Sequence, residues 1–558
     1  MSLRDRGATA QGVTVAGRVQ LWIGRALGVL LFGVIIYVRV KLADAHPHVG
    51  WDGGLYLDVA QNLLRGDGLT IHTSLYHHGF QEFPHPTSLY PLWPLVLSVA
   101  LRFLELQHAV TTFPMVLSLG AIALAWCWGK RMLGAGALPL GLHGGHLAMA
   151  MFGLHMDFAR FCTTANTESL AYLLLFAALL RGERLFLRMT VRDGLELGLW
   201  CAALFLTRSQ MLPSMLAVVA ALPVLLLLGC GRRALWFTGA AVAAFAVAFA
   251  PMQWWMSTFL EDPSFASYLD IGRARVPSAL SHVELVNQHP DLLSRLRAIA
   301  HGVEVAAGKE KGYWVFFEWF TLVVPAALVV GVAWLAWYRG AGLRALRERF
   351  RDARLHGMVW AMTTALGGFA VLHVAQREHD QWWFSNRHAM PAGLLFCCCG
   401  VVIVRAFRWL RWPAAFALVF ATASLAERAV DEVKAVLPTR PFSEYNRRLV
   451  RWLERTRDRE HGTLVVGISS QESRSMGWRV PGVGMHSISN RTRFDDLVVM
   501  TRDLGARYLV FRGAVPTRIA RHQKFDETFV QTGTIKAARA RTFLIYELRR
   551  GHNAAAAP

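Results

Sequence analysis

Charge is what this sequence has least of. Asp, Glu, Lys and Arg make up 17% of its 558 residues, against about 25% in an ordinary soluble protein. No charged side chain interrupts Phe237–Met256. An uncharged run of roughly 20 residues matches the hydrocarbon core of a bilayer, so a soluble chain is excluded and an integral membrane protein is expected. Acidic residues are scarcer than basic ones, 38 against 59, for a net charge of +21. A nucleic-acid footprint does not follow, because many arginines sit in short clusters between apolar runs, the pattern that reports membrane orientation. Cysteine is scarce too. Cys127, Cys162, Cys201, Cys230, Cys397, Cys398 and Cys399 lie in or beside apolar runs with no metal-ligand spacing, so buried inert thiols are expected and a zinc framework is not. The first apolar run, Leu21–Tyr37, has no small-residue cleavage site and reads as a retained span. No internal repeat is present.

What is present is a series of apolar runs able to span, at about 21–42, 113–132, 137–154, 167–181, 194–211, 213–229, 234–257, 314–338, 357–375, 388–406 and 412–426. The run Leu89–Leu104 is short and holds Pro91, Pro94 and Arg102; parity decides whether it crosses. With the amino terminus in the cytoplasm and 89–104 not crossing, five consecutive cytoplasmic loops carry the basic clusters. These are Lys130/Arg131, Arg181/Arg184/Arg188/Arg192, Arg232/Arg233, Arg339–Arg354 and Arg405/Arg408/Arg411. If it crosses, all five move outside, against the charge rule. The expectation is therefore a mainly α, polytopic helical bundle of about eleven spans over 1–429. Regions 43–112, 155–166, 258–313 and 376–387 face outward, and 89–104 lies on the outer leaflet. Arg39 and Lys41, at the outer end of the first span, are exceptions to the rule. Residues 430–552 read as a soluble α/β domain on the outer face, from β-like runs at Leu464–Ile468 and Tyr508–Phe511, a helix at Phe494–Leu504 and a closing strand at Thr542–Leu548. The tail 553–558 is expected to be disordered.

Ionisable groups at the outer ends of spans are the informative ones, since they are costly near hydrocarbon. The first outer region runs from Trp51-Asp52-Gly53-Gly54 through Tyr56 and Ala60 to Leu63-Leu64 and Gly66-Asp67-Gly68. Leu55, Val59 and Leu63 recur at helical spacing, which predicts an interfacial helix with Asp52 as its cap; capping alone is the plainer alternative. Further on stand Phe83-Pro84-His85-Pro86 and Leu89-Tyr90-Pro91. The second outer region holds Asp157, Arg160 and, at the start of a span, Glu168. Arg208 in Leu206-Thr207-Arg208-Ser209 and Arg387 in Arg387-His388-Ala389-Met390-Pro391 sit at outer span ends. Arginine suits phosphate because its planar fork meets two oxygens and stays charged; interfacial snorkelling is the alternative. His46, His48, His72, His77, His78 and His85 crowd the first region without a ligand spacing, so a divalent metal beside Asp52 stays an open alternative to ordinary loop contacts. Trp382 and Trp383, in the polar cluster 377–383, fit either sugar stacking or interfacial anchoring.

These segments resemble the GT-C superfamily of membrane glycosyltransferases, of the lipid A aminoarabinose transferase and protein O-mannosyltransferase type. The Asp52-to-Gly68 segment is similar to that superfamily's first outer loop, and 83–91 to its Pro-rich stretch opening a juxtamembrane helix. Glu168 is placed like its second-loop acidic residue, and Leu206–Arg208 like its lipid-phosphate contact. Arg387-His388 resembles an Arg-Tyr-x-x-Pro span entry, with His388 where the Tyr stands. The resemblance implies a sugar moved from a polyprenyl-phosphate donor to a glycan, lipid or protein acceptor, on the outer face of a bacterial inner membrane. Asp52 and Glu168 are then the candidate catalytic residues. Arg208, Arg387, His388, Tyr56, His85, Asp157 and Arg160 are the candidate substrate-binding ones. No metal ligand is assigned and no nucleic-acid partner is expected. A transporter or flippase would instead need charges inside several spans and two matching halves with broken helices, and neither is evident. A non-catalytic scaffold would leave the outward placement of the four charged groups to coincidence.

Overall fold

The computed structural model describes residues 15–45, 51–74, 84–87, 89–133, 137–208, 211–227, 230–258, parts of 394–404, 408–436, 442–459, 464–468, 479–480, 483–487, 494–503, 506–536 and 542–549. The expected spans 314–338 and 357–375, most of 388–406, the outer regions 258–313 and 376–387, and the tail 553–558 lie outside them.

Helix α1 (Val15–Ala45) leads to a shorter α2 (Trp51–Arg65), three two-residue strands β1 (Thr70–Ile71), β2 (Thr73–Ser74) and β3 (His85–Pro86), and α3 (Leu92–Phe103). At about 1.5 Å per residue, α3 reaches only about 18 Å, too short to cross. Then come α4 (Leu106–Val110), α5 (Thr112–Met132), α6 (Gly144–Gly153), α7 (Met156–Cys162), α8 (Glu168–Arg188), α9 (Val191–Thr207), α10 (Pro213–Leu227) and α11 (Gly231–Ser257). Among the described residues, four helical stretches are long and apolar enough to cross a membrane: Gly17–Asp44, Leu106–Met132, Gly231–Ser257 and Arg411–Ala435. They expose large apolar side chains such as Val29, Trp236, Val247 and Trp254, an arrangement that suits lipid and not water.

The run 137–154 differs from its reading as one span. It begins with a 3₁₀ turn at Pro139–Gly141 that includes left-handed Leu140. His143 then starts α6 in a capping box with His146. His155 accepts a hydrogen bond from the Phe158 amide and starts α7. Side-chain caps compete with helix continuation, so a 3₁₀ turn and the ten-residue α6 carry the run, and α7 starts beyond it.

Close approach holds the later helices together. A Cβ on Gly194 would lie 2.2 Å from the Phe237 carbonyl oxygen, and one on Gly198 2.1 Å from that of Ala241. Two glycines four residues apart thus let the α9 and α11 backbones touch, as small-residue interfaces do in membranes. Met189, left-handed at φ 49°, and the Thr190–Asp193 capping box turn α8 tightly back into α9.

Arg39, one of the exceptions to the charge rule, is fully buried. Its Nε donates to Ser118 Oγ at 2.7 Å, Nη1 to the Gly153 carbonyl at 2.7 Å and Nη2 to that of Phe152 at 3.4 Å. The guanidinium carbon lies 5.6 Å from the Phe158 ring centroid. The two carbonyls end α6, where unpaired acceptors and the negative end of the helix dipole favour a cation. Arg39→Leu is expected to cost about 1–3 kcal/mol for each orphaned acceptor, seen as a lower melting temperature in detergent. A Lys there, with charge but no fork, should fall between.

Helix α12 (Arg411–Val436) runs on past the expected boundary at 430, and α13 (Phe442–Arg459) follows. Strands β4 (Leu464–Ile468), β5 (Gly484–Ser487), β6 (Ala506–Arg512), β7 (Phe529–Lys536) and β8 (Thr542–Leu548) surround α14 (Phe494–Asp503) and the short helices α15 (Thr517–Ala520) and α16 (Phe525–Thr528). The six-stranded sheet has the order β2-β5-β4-β6-β8-β7, parallel from β2 to β6 and antiparallel beyond. Leu449 and Leu453 of α13 enter the core of this sheet with Val480, Met485 and Val510. Its edge strand β2 comes from the segment just after α2, some four hundred positions before its partner β5. That pairing joins residues 73–74 to the carboxyl-terminal sheet.

Candidate functional site

Glu168 and Arg208 meet because α8 and α9 form an antiparallel hairpin. Glu168 is the first residue of α8 and Arg208 the C-cap of α9, so the start of one helix lies beside the end of the other. A carboxylate is favoured at a helix amino terminus and a guanidinium at a carboxyl terminus. Arg208 Nη1 donates to Glu168 Oε1 at 2.5 Å and to Thr167 Oγ1 at 3.2 Å. Both partners are buried, their side chains 1% and 9% exposed. Next to them, Asn166 Oδ1 and Ser169 Oγ are buried with no hydrogen-bond partner among the described residues.

Asp52 approaches the same end of the bundle from the first outer region. It lies in the first turn of α2, half-buried, one residue inside the helix and not ahead of it as a cap. The following Gly53 fits so closely that a Cβ would stand 3.2 Å from the Ala165 carbonyl carbon and 3.3 Å from its oxygen. That oxygen also accepts the Trp93 indole N–H at 2.7 Å. The Ala165 peptide, three residues before Glu168, is therefore gripped by both α2 and α3. Leu57 and Ala60 of α2 pack with Trp93 and Leu97 of α3, and Tyr56 lies half-buried against that cluster.

The other candidates are placed as follows. Arg160 of α7 pairs with Glu432 of α12, tying the second outer region to the last described apolar helix; no pairing with Asp157 is described, whose side chain, like that of His85, lies outside the described residues. The His85 backbone stands opposite Ile71 in the β1–β3 ladder. Arg387, His388 and the polar cluster 377–383 lie outside the described residues, as do His46, His48, His77 and His78. Among the described residues no three His, Cys, Asp or Glu side chains group as metal ligands. Glu168 already has Arg208 as its counter-charge, so a metal shared with Asp52 would have to compete with that pair.

Sequence reasoning passed over three groups here. Asp58 (1% exposed) takes the His72 amide at Oδ2, 2.7 Å, and faces His72 Nδ1 from Oδ1 at 3.0 Å. Asn62, fully buried, donates to the Thr70 carbonyl at 2.8 Å. Both face the strand side of α2, and only the spacing of four residues in Asp58–Asn62 signals it. Glu432 carried no signal, since nothing in the sequence joins it to Arg160.

The sequence matches no protein-family profile and no curated protein. Among solved structures the chain is similar in fold to the oligosaccharyltransferase of Archaeoglobus fulgidus. Its apo form aligns with a TM-score of 0.49 and 10% identity over 86% of this chain and 69% of that one. A form with Zn and sulfate aligns at 0.48, 11%, 86% and 67%. A complex with an inhibitory peptide and a dolichol-phosphate aligns at 0.45, 12%, 88% and 70%. A likeness of this size assigns no residue, substrate or role to this chain.

Proposed function

We propose that this chain is a GT-C type membrane glycosyltransferase that moves a sugar from a polyprenyl-phosphate donor to an acceptor hydroxyl, on the face of a bacterial inner membrane away from the cytoplasm. The observation that carries the reading is the meeting of Glu168 and Arg208 beside the peptide on which the Asp52 helix rests. An arginine held by a buried carboxylate is fixed in direction before substrate arrives, and electrostatic catalysis depends on such preorganisation.

In this reading the donor's tail lies in the outer leaflet and its phosphate faces Arg208, with Arg387 as a second contact. Asp52 takes the proton of the acceptor hydroxyl. The hydroxyl oxygen attacks the anomeric carbon, the bond from that carbon to the phosphate oxygen breaks, and the lipid phosphate leaves with the electron pair. A single displacement inverts the anomeric centre. Glu168 keeps the Arg208 fork aimed and orients the acceptor; Asn166 Oδ1 and Ser169 Oγ are acceptors that a sugar hydroxyl would satisfy. Phosphate is already a fair leaving group, so positioning and charge neutralisation supply much of the rate.

Purified full-length protein in lipid nanodiscs, given a polyprenyl-phosphate sugar labelled in the lipid and a panel of glycan, lipid and protein acceptors, should release labelled polyprenyl phosphate only when an acceptor is present. Flipping of the donor across liposomes with no release would replace this reading by a transport one.

A further inference from the structure

We infer that Asp58 and His72 are positioning residues that clasp the Asp52 helix to the carboxyl-terminal sheet, so that the distant carboxyl-terminal unit helps set where Asp52 stands. The inference rests on the proposed role of Asp52, but its geometry does not. Asp58 lies six residues after Asp52 on α2, about 9 Å along the axis at 1.5 Å per residue. Its carboxylate accepts the His72 amide at 2.7 Å and faces His72 Nδ1 at 3.0 Å. Asn62 Nδ2 is 3.3 Å from the same ring nitrogen and 2.8 Å from the Thr70 carbonyl. With its proton on Nδ1, His72 donates to Asp58, and Asn62 is left to hold Thr70.

The other side of His72 faces the sheet. Its carbonyl accepts the Met485 amide at 2.9 Å, and the pairing continues as Thr73 opposite Met485 and Ser74 opposite His486. One buried residue is thus bonded to α2 through its amide and ring and to β5 through its carbonyl. Asp58, Asn62 and His72 are each at most 5% exposed, so water does not compete for these bonds. A two-residue edge strand on its own would be marginal; the clasp supplies the second anchor that keeps β2 in the sheet. Linkage is reciprocal. Loosening β5 should loosen α2, and loosening Asp58 should loosen the β2–β5 edge.

The test compares Met485→Pro with Met485→Ala in the full-length protein. Both remove the buried Met side chain, but only Pro removes the amide that bonds to His72; that amide faces β2 and not β4, so the hydrogen bond lost is the one to the clasp. Hydrogen exchange over 51–65 should speed by roughly fivefold to tenfold in M485P relative to M485A, the worth of about one backbone hydrogen bond. In the transfer assay kcat should fall by a similar factor at an unchanged donor KM, and M485A should restore it. Asp58→Asn supplies the reciprocal reading, faster exchange over 484–487, and stands in if M485P does not fold. Equal exchange in M485P and M485A, with 484–487 unmoved by D58N, overturns the clasp. Coupled exchange with an unmoved kcat overturns the positioning role. If wild type transfers no sugar, the proposed function fails, and the exchange measurements still decide whether the clasp exists.

Discussion

Asp52→Asn is expected to fold like the wild type and to lose transfer by about 10²- to 10⁴-fold in kcat, the range a positioned general base contributes. The substitution keeps the size and hydrogen-bonding reach of the side chain and removes its basicity. Its structural cost is small: a first-turn carboxylate near a helix amino terminus is worth about 0.3–1 kcal/mol. Donor binding should persist, because the groups assigned to the phosphate are elsewhere, so donor KM should hold while kcat collapses. This pattern separates the base from the plainer role. If Asp52 only steadies the start of α2, the Asn variant would melt a little lower and transfer at nearly the wild-type rate. Single-turnover kinetics on a labelled donor, beside a thermal melt of the same preparation, decides between them.

How much of this was legible in the sequence depends on the range of the signal. Apolar runs and arginine clusters report on lipid and charge, which act residue by residue, so helix positions such as Gly231–Ser257 could be read directly. The late start of α6 within 137–154 escaped because it depends on a cap by His143, a residue type with weak capping preference. Glu168 and Arg208 were each legible as charges at span ends, but their bond is a product of the hairpin and of Met189 turning left-handed. Arg39 was visible as a violation of the charge rule, and its cause, the end of α6, lies more than a hundred residues away. The origin of β2 was the least legible of all. Two residues give no strand signal, and their partner strand follows some four hundred positions later.

That long-range pairing also bears on sidedness. The charge rule set the first outer region and the carboxyl-terminal segment on one face by counting arginines. The β2–β5 ladder joins residues 73–74 to the carboxyl-terminal sheet by a route that uses no charge. Likewise α8 carries Glu168 at one end and Arg181, paired with Glu196, near the other. The acidic start and the basic finish of a single helix then lie at opposite ends of the hairpin.

The second large effect is expected at the Glu168–Arg208 pair. Removing one partner of a buried ion pair leaves the other charge unpaired, at a cost of about 3–5 kcal/mol, a large share of the roughly 5–15 kcal/mol that holds an ordinary domain together. Arg208→Gln should therefore lower both yield and melting temperature, and its inactivity alone would say nothing about phosphate. The double variant Glu168→Gln/Arg208→Gln removes both charges and keeps two groups able to hydrogen-bond. It should melt well above R208Q, because no buried charge is left behind, yet transfer should stay at least about 10²-fold down, the usual loss when one preorganised charge-stabilising donor is removed. Arg208→Lys, which keeps a point charge but not the fork, should retain partial activity with a raised donor KM. A double variant that is stable and as active as wild type would show that the pair is structural glue, and Arg208 would lose its place at the phosphate. Stability restored while activity stays lost shows that the pair acts in transfer, and the raised donor KM of R208K is what assigns Arg208 to the phosphate.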